Sequence, residues 1–120
     1  METLVIKGDD EIPSVLLDKH NGIFEIAGRS LPENSADFYL PILAWIKEYS
    51  KSPNDRTDFM FKLDYFNTSS CKMIQGILSE LERIKGTTVI WYFLEDDEIM
   101  EETGHEFAEI VPVPFEFKPY

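Results

Sequence analysis

Residues 58–74, Asp-Phe-Met-Phe-Lys-Leu-Asp-Tyr-Phe-Asn-Thr-Ser-Ser-Cys-Lys-Met-Ile, change period in mid-course. Phe59, Phe61, Leu63 and Tyr65 recur at every second position and predict one face of a β-strand, with Met60 and Phe66 making the other face partly apolar. Ile74, Ile77, Leu78, Leu81 and Ile84 then follow helical spacing until Gly86 stops the run. Between the two periods stand four small polar residues, Asn67, Thr68, Ser69 and Ser70. A strand entering a helix through such a turn places their side chains above the carboxyl edge of a sheet. The helix's unpaired N–H groups and positive dipole end point at the same place. That location favours a phosphate, either bound or covalently attached. The same residue types lead at helix N-caps. Capping by Thr68, Ser69 or Ser70 is therefore the competing role, and both readings stay open from the residues alone.

The remaining chain predicts a single α/β domain over residues 1–120 with a mixed sheet and about three helices. Leu4–Ile6 reads as a short edge strand and Ser14–Asp18 as a second strand. Asn21-Gly22 has type I′ turn chemistry, leading to a return strand over Ile23–Ala27 with Phe24 and Ile26 opposite Glu25. The loop Arg29-Ser30-Leu31-Pro32-Glu33-Asn34-Ser35 precedes a helix capped by Asn34, Ser35 or Asp37, with Phe38, Ile42, Trp45, Ile46 and Tyr49 facing inward. Pro41 requires that helix to start late or to bend. Thr87–Leu94 is nearly continuous in β-forming residues, as an inner strand covered on both faces would be. A third helix follows Glu95-Asp96-Asp97-Glu98 to about Ala108, with Ile99, Met100, Thr103 and Phe107 inward and Gly104 weakening it. Val111–Phe117, interrupted by Pro112 and Pro114, is an edge strand or an extended tail.

Three antiparallel N-terminal strands followed by three helix-strand units predict parallel pairing for the helix-linked strands, with right-handed crossovers. Three strand-to-helix loops then open on one sheet edge: residues 29–35, 67–70 and 95–97. Functional surfaces of open α/β sheets lie along that edge.

Composition removes several classes of function. With 23 acidic residues against 11 basic ones, the net charge of −12 repels nucleic-acid phosphates and anionic lipid. The first residues lack the basic and long apolar regions of a signal peptide, and the run from Phe38 to Ile46 is too short to span a bilayer. A cytoplasmic protein with no membrane insertion is expected. The carboxylates from Glu95 to Glu102 match no calcium loop, so no metal or other cofactor is expected. Ser69 and Ser70 lack the glycine-flanked nucleophile elbow. Of the two histidines, His20 falls in the hairpin turn at the far end of the sheet and His105 late in the third helix. A serine hydrolase is thus poorly supported, and the single Cys71 reads as a packing residue. A binding module remains, with Lys72 one turn beyond Thr68 as a cationic neighbour for a phosphate.

The runs Leu31-Pro32-Glu33-Asn34-Ser35 and Asp64-Tyr65-Phe66-Asn67-Thr68-Ser69-Ser70, the strand Val89-Ile90-Trp91-Tyr92, and Pro114-Phe115-Glu116-Phe117 resemble SiaC-family regulatory phosphoproteins. The resemblance covers nearly the whole chain, in order. It implies a fold like the STAS domains of anti-sigma-factor antagonists and places the family's phosphorylatable threonine at Thr68. It further implies a non-catalytic bacterial partner switch. A Ser/Thr protein kinase would phosphorylate Thr68 and a PP2C-type phosphatase would reverse it. The unmodified form would bind and activate a diguanylate cyclase, controlling cyclic di-GMP and biofilm formation or aggregation. The rim expected around the phosphosite comprises Arg29, Pro32, Glu33, Asn34, Ser35, Asn67, Ser69, Ser70 and Lys72. The alternative within the same fold is an antagonist that sequesters a different kinase or anti-sigma factor.

Overall fold

A computed structural model describes all 120 residues. Six strands and three helices run in the order β1 (Leu4–Ile6), β2 (Ser14–Asp18), β3 (Ile23–Ser30), α1 (Ser35–Tyr49), β4 (Thr57–Phe66), α2 (Thr68–Glu82), β5 (Thr87–Phe93), α3 (Glu98–Ile110) and β6 (Phe115–Pro119). The strands form one sheet in simple sequential order, β1 to β6. β1, β2 and β3 pair antiparallel, whereas β3, β4, β5 and β6 are parallel, as their helical connections require. The edge predicted for the three strand-to-helix loops is thereby formed.

Because each crossover steps to the next strand in the same direction, all three helices cover the same face. The register sets Leu17, Phe24, Phe59 and Val89 in one cross-strand row and Val15, Ile26, Phe61 and Trp91 in the next. These rows meet Ile42, Ile46 and Tyr49 of α1, Ile74, Ile77, Leu78 and Leu81 of α2, and Met100 and Phe107 of α3 in one core cluster. β5 is an inner strand, but it is not covered on both faces as expected. Its second face lies in the row Leu16, Glu25, Met60, Ile90 and Glu116, where Ile90 is screened by sheet neighbours and by no helix.

Other expectations change locally. The β2–β3 connection is a four-residue loop from Lys19 to Gly22, in which Asn21 bonds the Asp18 carboxylate and only Gly22 has positive φ. A type I′ turn needs positive φ at both central positions, so Asn21-Gly22 does not form one. β3 continues through Arg29 and Ser30, which the sequence placed in a loop. α1 starts at Ser35 and runs through Pro41, whose exposed flank leaves the carbonyl that loses its donor open to water. Its inward set is Ser35, Tyr39, Ile42, Ile46 and Tyr49, with Phe38 and Trp45 only half-buried. Val113 is buried ahead of β6 and is not part of it, and β6 is an edge strand ending at Pro119.

On α3, Ile99 is 79% exposed and points outward, contrary to expectation. Gly104 is buried because the Trp91 indole occupies the space beside it. A Cβ built there would lie 2.5 Å from Trp91 Cδ1. The ring cannot swing away, since its Nε1 donates to the Met100 carbonyl at 3.0 Å within the core. Gly104→Ala gains about 1 kcal/mol of helix propensity, yet overpacking a fixed ring costs about 1–3 kcal/mol. The expected outcome is a net loss of stability, read as a lower urea midpoint with an unchanged slope.

On the open face, Tyr120 donates its hydroxyl to Asp64 Oδ1 at 2.9 Å, and its ring lies 4.5 Å from Lys62 Nζ. Partial burial, then the bond to Asp64 and the negative charges of Asp64 and Asp97, push its phenol up to about 12. The neutral phenol is favoured by folding. Its contribution is complete below the ordinary tyrosine pKa of about 10 and is lost as pH rises through about 12. In a phenolate absorbance titration, Tyr120→Phe should remove an ionisation step near pH 12.

Candidate functional site

The polar turn takes its orientation from an irregularity in the sheet. The β3–β4 register shifts between Gly28 and Arg29, so Gly28 pairs with Leu63 but Arg29 pairs with Tyr65, leaving Asp64 as an extra residue in β4. Such a bulge turns the strand by one position. Tyr65 therefore joins Asp64 on the open face at 51% exposure, and Phe66 turns inward, 6.4 Å from Phe107. This reverses the faces expected for Tyr65 and Phe66. The strict alternation that assigned them holds only as far as Leu63.

Asn67, the residue after Phe66, caps α2. Its Oδ1 accepts the Ser70 N–H at 2.9 Å and the Ser69 hydroxyl at 3.2 Å, and its carbonyl accepts the Cys71 N–H. Capping by Thr68, Ser69 or Ser70, the competing role left open by the sequence, does not occur. The longer Asn side chain reaches the N–H of the third helical residue, the usual reach of an N-cap. Ser70 is fully buried and ties α2 to the end of β3. Its hydroxyl donates to the Ser30 carbonyl at 3.1 Å and accepts from the Ser30 hydroxyl at 2.9 Å. The same Ser30 carbonyl accepts the Asn67 N–H at 3.0 Å. Tyr39 of α1 completes the buried chain at 2.5 Å from Ser30 Oγ, and burial holds its phenol above the usual tyrosine range. Ser69 meets Ser35, the first residue of α1, at 2.6 Å.

Three of the four turn side chains are thus engaged, Asn67 in capping α2, Ser70 in tying it to β3 and Ser69 in bridging to α1. Thr68 is the fourth. It is the first residue of α2, it is exposed, and its hydroxyl takes part in none of these bonds. It opens onto a groove of about 540 Å³ lined by Glu33, Asn34, Ser35, Ala36, Thr68, Ser69, Lys72 and Met73. The first turns of α1 and α2 both end there, with Asn34 capping α1 by accepting the Asp37 N–H at 3.2 Å. A somewhat larger hollow of about 580 Å³ lies between Asp55-Arg56 and Pro112–Pro114, at the opposite sheet edge. Its buried hydroxyl, Thr87, is already bonded to the Ile84 carbonyl.

Of the residues expected around Thr68, the groove gathers Glu33, Asn34, Ser35, Ser69 and Lys72. Asn67 and Ser70 support it from beneath, and Pro32 is buried in the loop. Arg29 is not part of the rim. It faces the open side of the sheet, 5.9 Å from the Tyr65 ring, and bonds the Asp10 carbonyl. Ala36 and Met73 line the groove unforeseen, as does Tyr39 in its support. The four-residue spacings Ser35–Tyr39 and Ser69–Met73 are the signals that place each on the relevant helix face. Ser69 and Ser70 bond only Ser35, Asn67 and Ser30, never an imidazole, and His105 is stacked on Phe117 at 3.8 Å. The hydrolase reading therefore lacks its base.

Stability should separate cap from spare hydroxyl. Asn67→Ala is expected to cost about 0.5–2 kcal/mol. Thr68→Ala, which would be costly if Thr68 were the cap, should stay within about 0.5 kcal/mol. Chemical denaturation of both variants checks this, and equal losses would contradict the assignment.

A family model described as SiaC family regulatory phosphoprotein matches residues 6–120. A protein of Pseudomonas aeruginosa strain UCBPP-PA14, described as uncharacterized, is 28% identical over 119 residues, spanning 96% of this chain and 94% of its own length. Apo-SiaC from Pseudomonas aeruginosa superposes with a TM-score of 0.87 at 27% identity, over 98% of this chain and 99% of that one. A chain in the crystal structure of the diguanylate cyclase SiaD with its activator SiaC, from the same organism, gives 0.89 at 27% identity with the same coverage. With its model spanning nearly the entire sequence and the whole fold shared, this chain belongs to the SiaC family of regulatory phosphoproteins.

Proposed function

We propose that this protein is a non-catalytic, cytoplasmic partner switch whose unmodified form binds and activates a diguanylate cyclase. A Ser/Thr kinase phosphorylates Thr68 to end that interaction and a PP2C-type phosphatase restores it, setting cyclic di-GMP and thereby biofilm formation or aggregation. The observation that carries this reading is the spare Thr68 hydroxyl, exposed in a turn whose other three polar side chains are all engaged. A modifying enzyme can reach it without breaking a bond that holds the fold. The likeness to the SiaC chain solved with SiaD, across 98% of this chain, supports the choice of partner.

The chemistry of the groove gives the switch its sign. A phosphoryl group brings about −1.5 to −2 charges and three acceptor oxygens. The open N–H groups at the head of α2 and the Lys72 ammonium favour it there. A partner surface shaped to a neutral hydroxyl would have to desolvate a dianion with no cation of its own, which is expensive. An aspartate at position 68 supplies part of this charge and sits well in the first turn of a helix.

Thr68→Asp is accordingly expected to remain folded and to weaken cyclase binding roughly tenfold or more, about 1.4 kcal/mol. Thr68→Ala should bind normally and resist kinase. Titration of each variant against the cyclase, followed by cyclic di-GMP production, provides the check. Undiminished binding by Thr68→Asp, together with no phosphatase-sensitive phosphate on Thr68 by peptide mass spectrometry of protein from its native cell, would overturn the proposal.

A further inference from the structure

The hydroxyls between α1 and α2 form a chain whose direction can be assigned by counting protons. Ser69 donates its one hydroxyl proton to Asn67 Oδ1 at 3.2 Å. On distance alone either hydroxyl can donate in the 2.6 Å contact between Ser35 and Ser69; with Ser69's proton on Asn67 Oδ1, the donor there is Ser35. The chain runs from Ser35, at the head of α1, through Ser69 to the cap of α2. Ser35 is only 6% exposed, so water is a poor substitute for Ser69 as its acceptor. Ser69 is exposed, adjoins Thr68 in sequence and lines the same groove.

We propose that Ser35, acting through Ser69, is the residue by which α1 registers the phosphorylation state of Thr68, so that the switched surface includes the first turn of α1 as well as that of α2. The proposal rests on Thr68 being the phosphosite, as inferred above. In the unmodified protein the chain ends on the neutral amide oxygen of Asn67, which the Ser70 N–H also occupies. A phosphoryl group on Thr68 offers anionic oxygens beside the Ser69 hydroxyl, and charge-assisted hydrogen bonds are about twice as strong as neutral ones. Ser69 turns its proton to the phosphate and Asn67 keeps the Ser70 N–H, so the cap survives. Ser35 still donates to Ser69, now as the second link of a chain ending on a dianion, and such chains strengthen cooperatively. The head of α1 is drawn toward α2. The charged side chains lining the groove are Lys72 on α2 and Glu33 ahead of α1, with Asp37 in the first turn of α1 nearby. None of them bridges the two helices in an ion pair.

The test uses full-length protein carrying phosphothreonine or threonine at position 68, the former installed during translation, so that it depends on neither kinase nor cyclase. Backbone amide chemical shifts of Ala36 and Asp37 report on α1, and a phosphorus-31 titration reports on the phosphate's second ionisation. In the native background and in Ser35→Thr, which keeps the hydroxyl, the phosphate should shift the α1 amides. In Ser35→Ala, and in Ser69→Ala at the exposed end of the chain, the shifts should be confined to α2. Both alanine variants should raise the phosphate's second pKa, because a donor to the dianion has been lost or weakened. Equal α1 shifts with and without the hydroxyls, or an unmoved phosphate pKa, would overturn the relay. Absence of phosphate on Thr68 in cells would instead remove the function proposed above, whatever the installed phosphothreonine shows.

Discussion

One carbonyl, that of Ser30, organises this protein. It ends β3, and its two acceptor sites take the Asn67 N–H and the Ser70 hydroxyl. That carbonyl sits on a strand held in the ladder by β4, Ser30 pairing with Phe66. A helix tied to it inherits the sheet's rigidity and does not depend on the stiffness of a loop. Ser30 and Ser70 are both fully buried, so these bonds act in a low local dielectric and no water competes for them. The start of α2 is part of the sheet's own hydrogen-bond system.

The bulge in β4 sets the angle at which α2 meets that anchor. The extra residue at Asp64 turns Phe66 into the core and Tyr65 out. Side chains alternate strictly along a strand, so removing the bulge would shift every residue from Tyr65 onward by one face. Phe66 would leave Phe107, and Asn67 would no longer align its N–H with Ser30. The cost of an irregular ladder at one position is offset by the buried Ser70–Ser30–Tyr39 chain it makes possible.

The consequence for function is a division of labour within four residues. Asn67 caps, Ser70 anchors and Ser69 bridges to α1, all by hydrogen bonds of ordinary length. Thr68 contributes nothing to the fold that a modifying enzyme would have to undo. In a chain of net charge −12, the groove beside it is also a place where helix N-termini and Lys72 oppose the prevailing sign. A dianion added at this position would meet a favourable local field and would change the charge presented by the groove.

Much of this was legible in the residues themselves. Apolar periodicity marked the strands and helices, and their alternation implied parallel pairing from β3 onward, with Asn67–Ser70 at the edge where the strand-to-helix loops open. These are short-range properties, since a period of two or 3.6 residues is written in neighbouring side chains. The family likeness was legible too, because its motifs are contiguous. Which of the four polar residues caps, which is buried and which stays free was decided only by the tertiary structure. The choice depends on partners far away in sequence: Ser70 is 40 residues from Ser30, and Ser69 is 34 from Ser35. The same holds for Gly104, which reads as a weak point in a helix until Trp91 is seen to fill the space beside it. Local sequence sets the period and order of elements. A one-residue register shift and the competition among near-identical hydroxyls for a few acceptors are settled only when the chain has closed on itself.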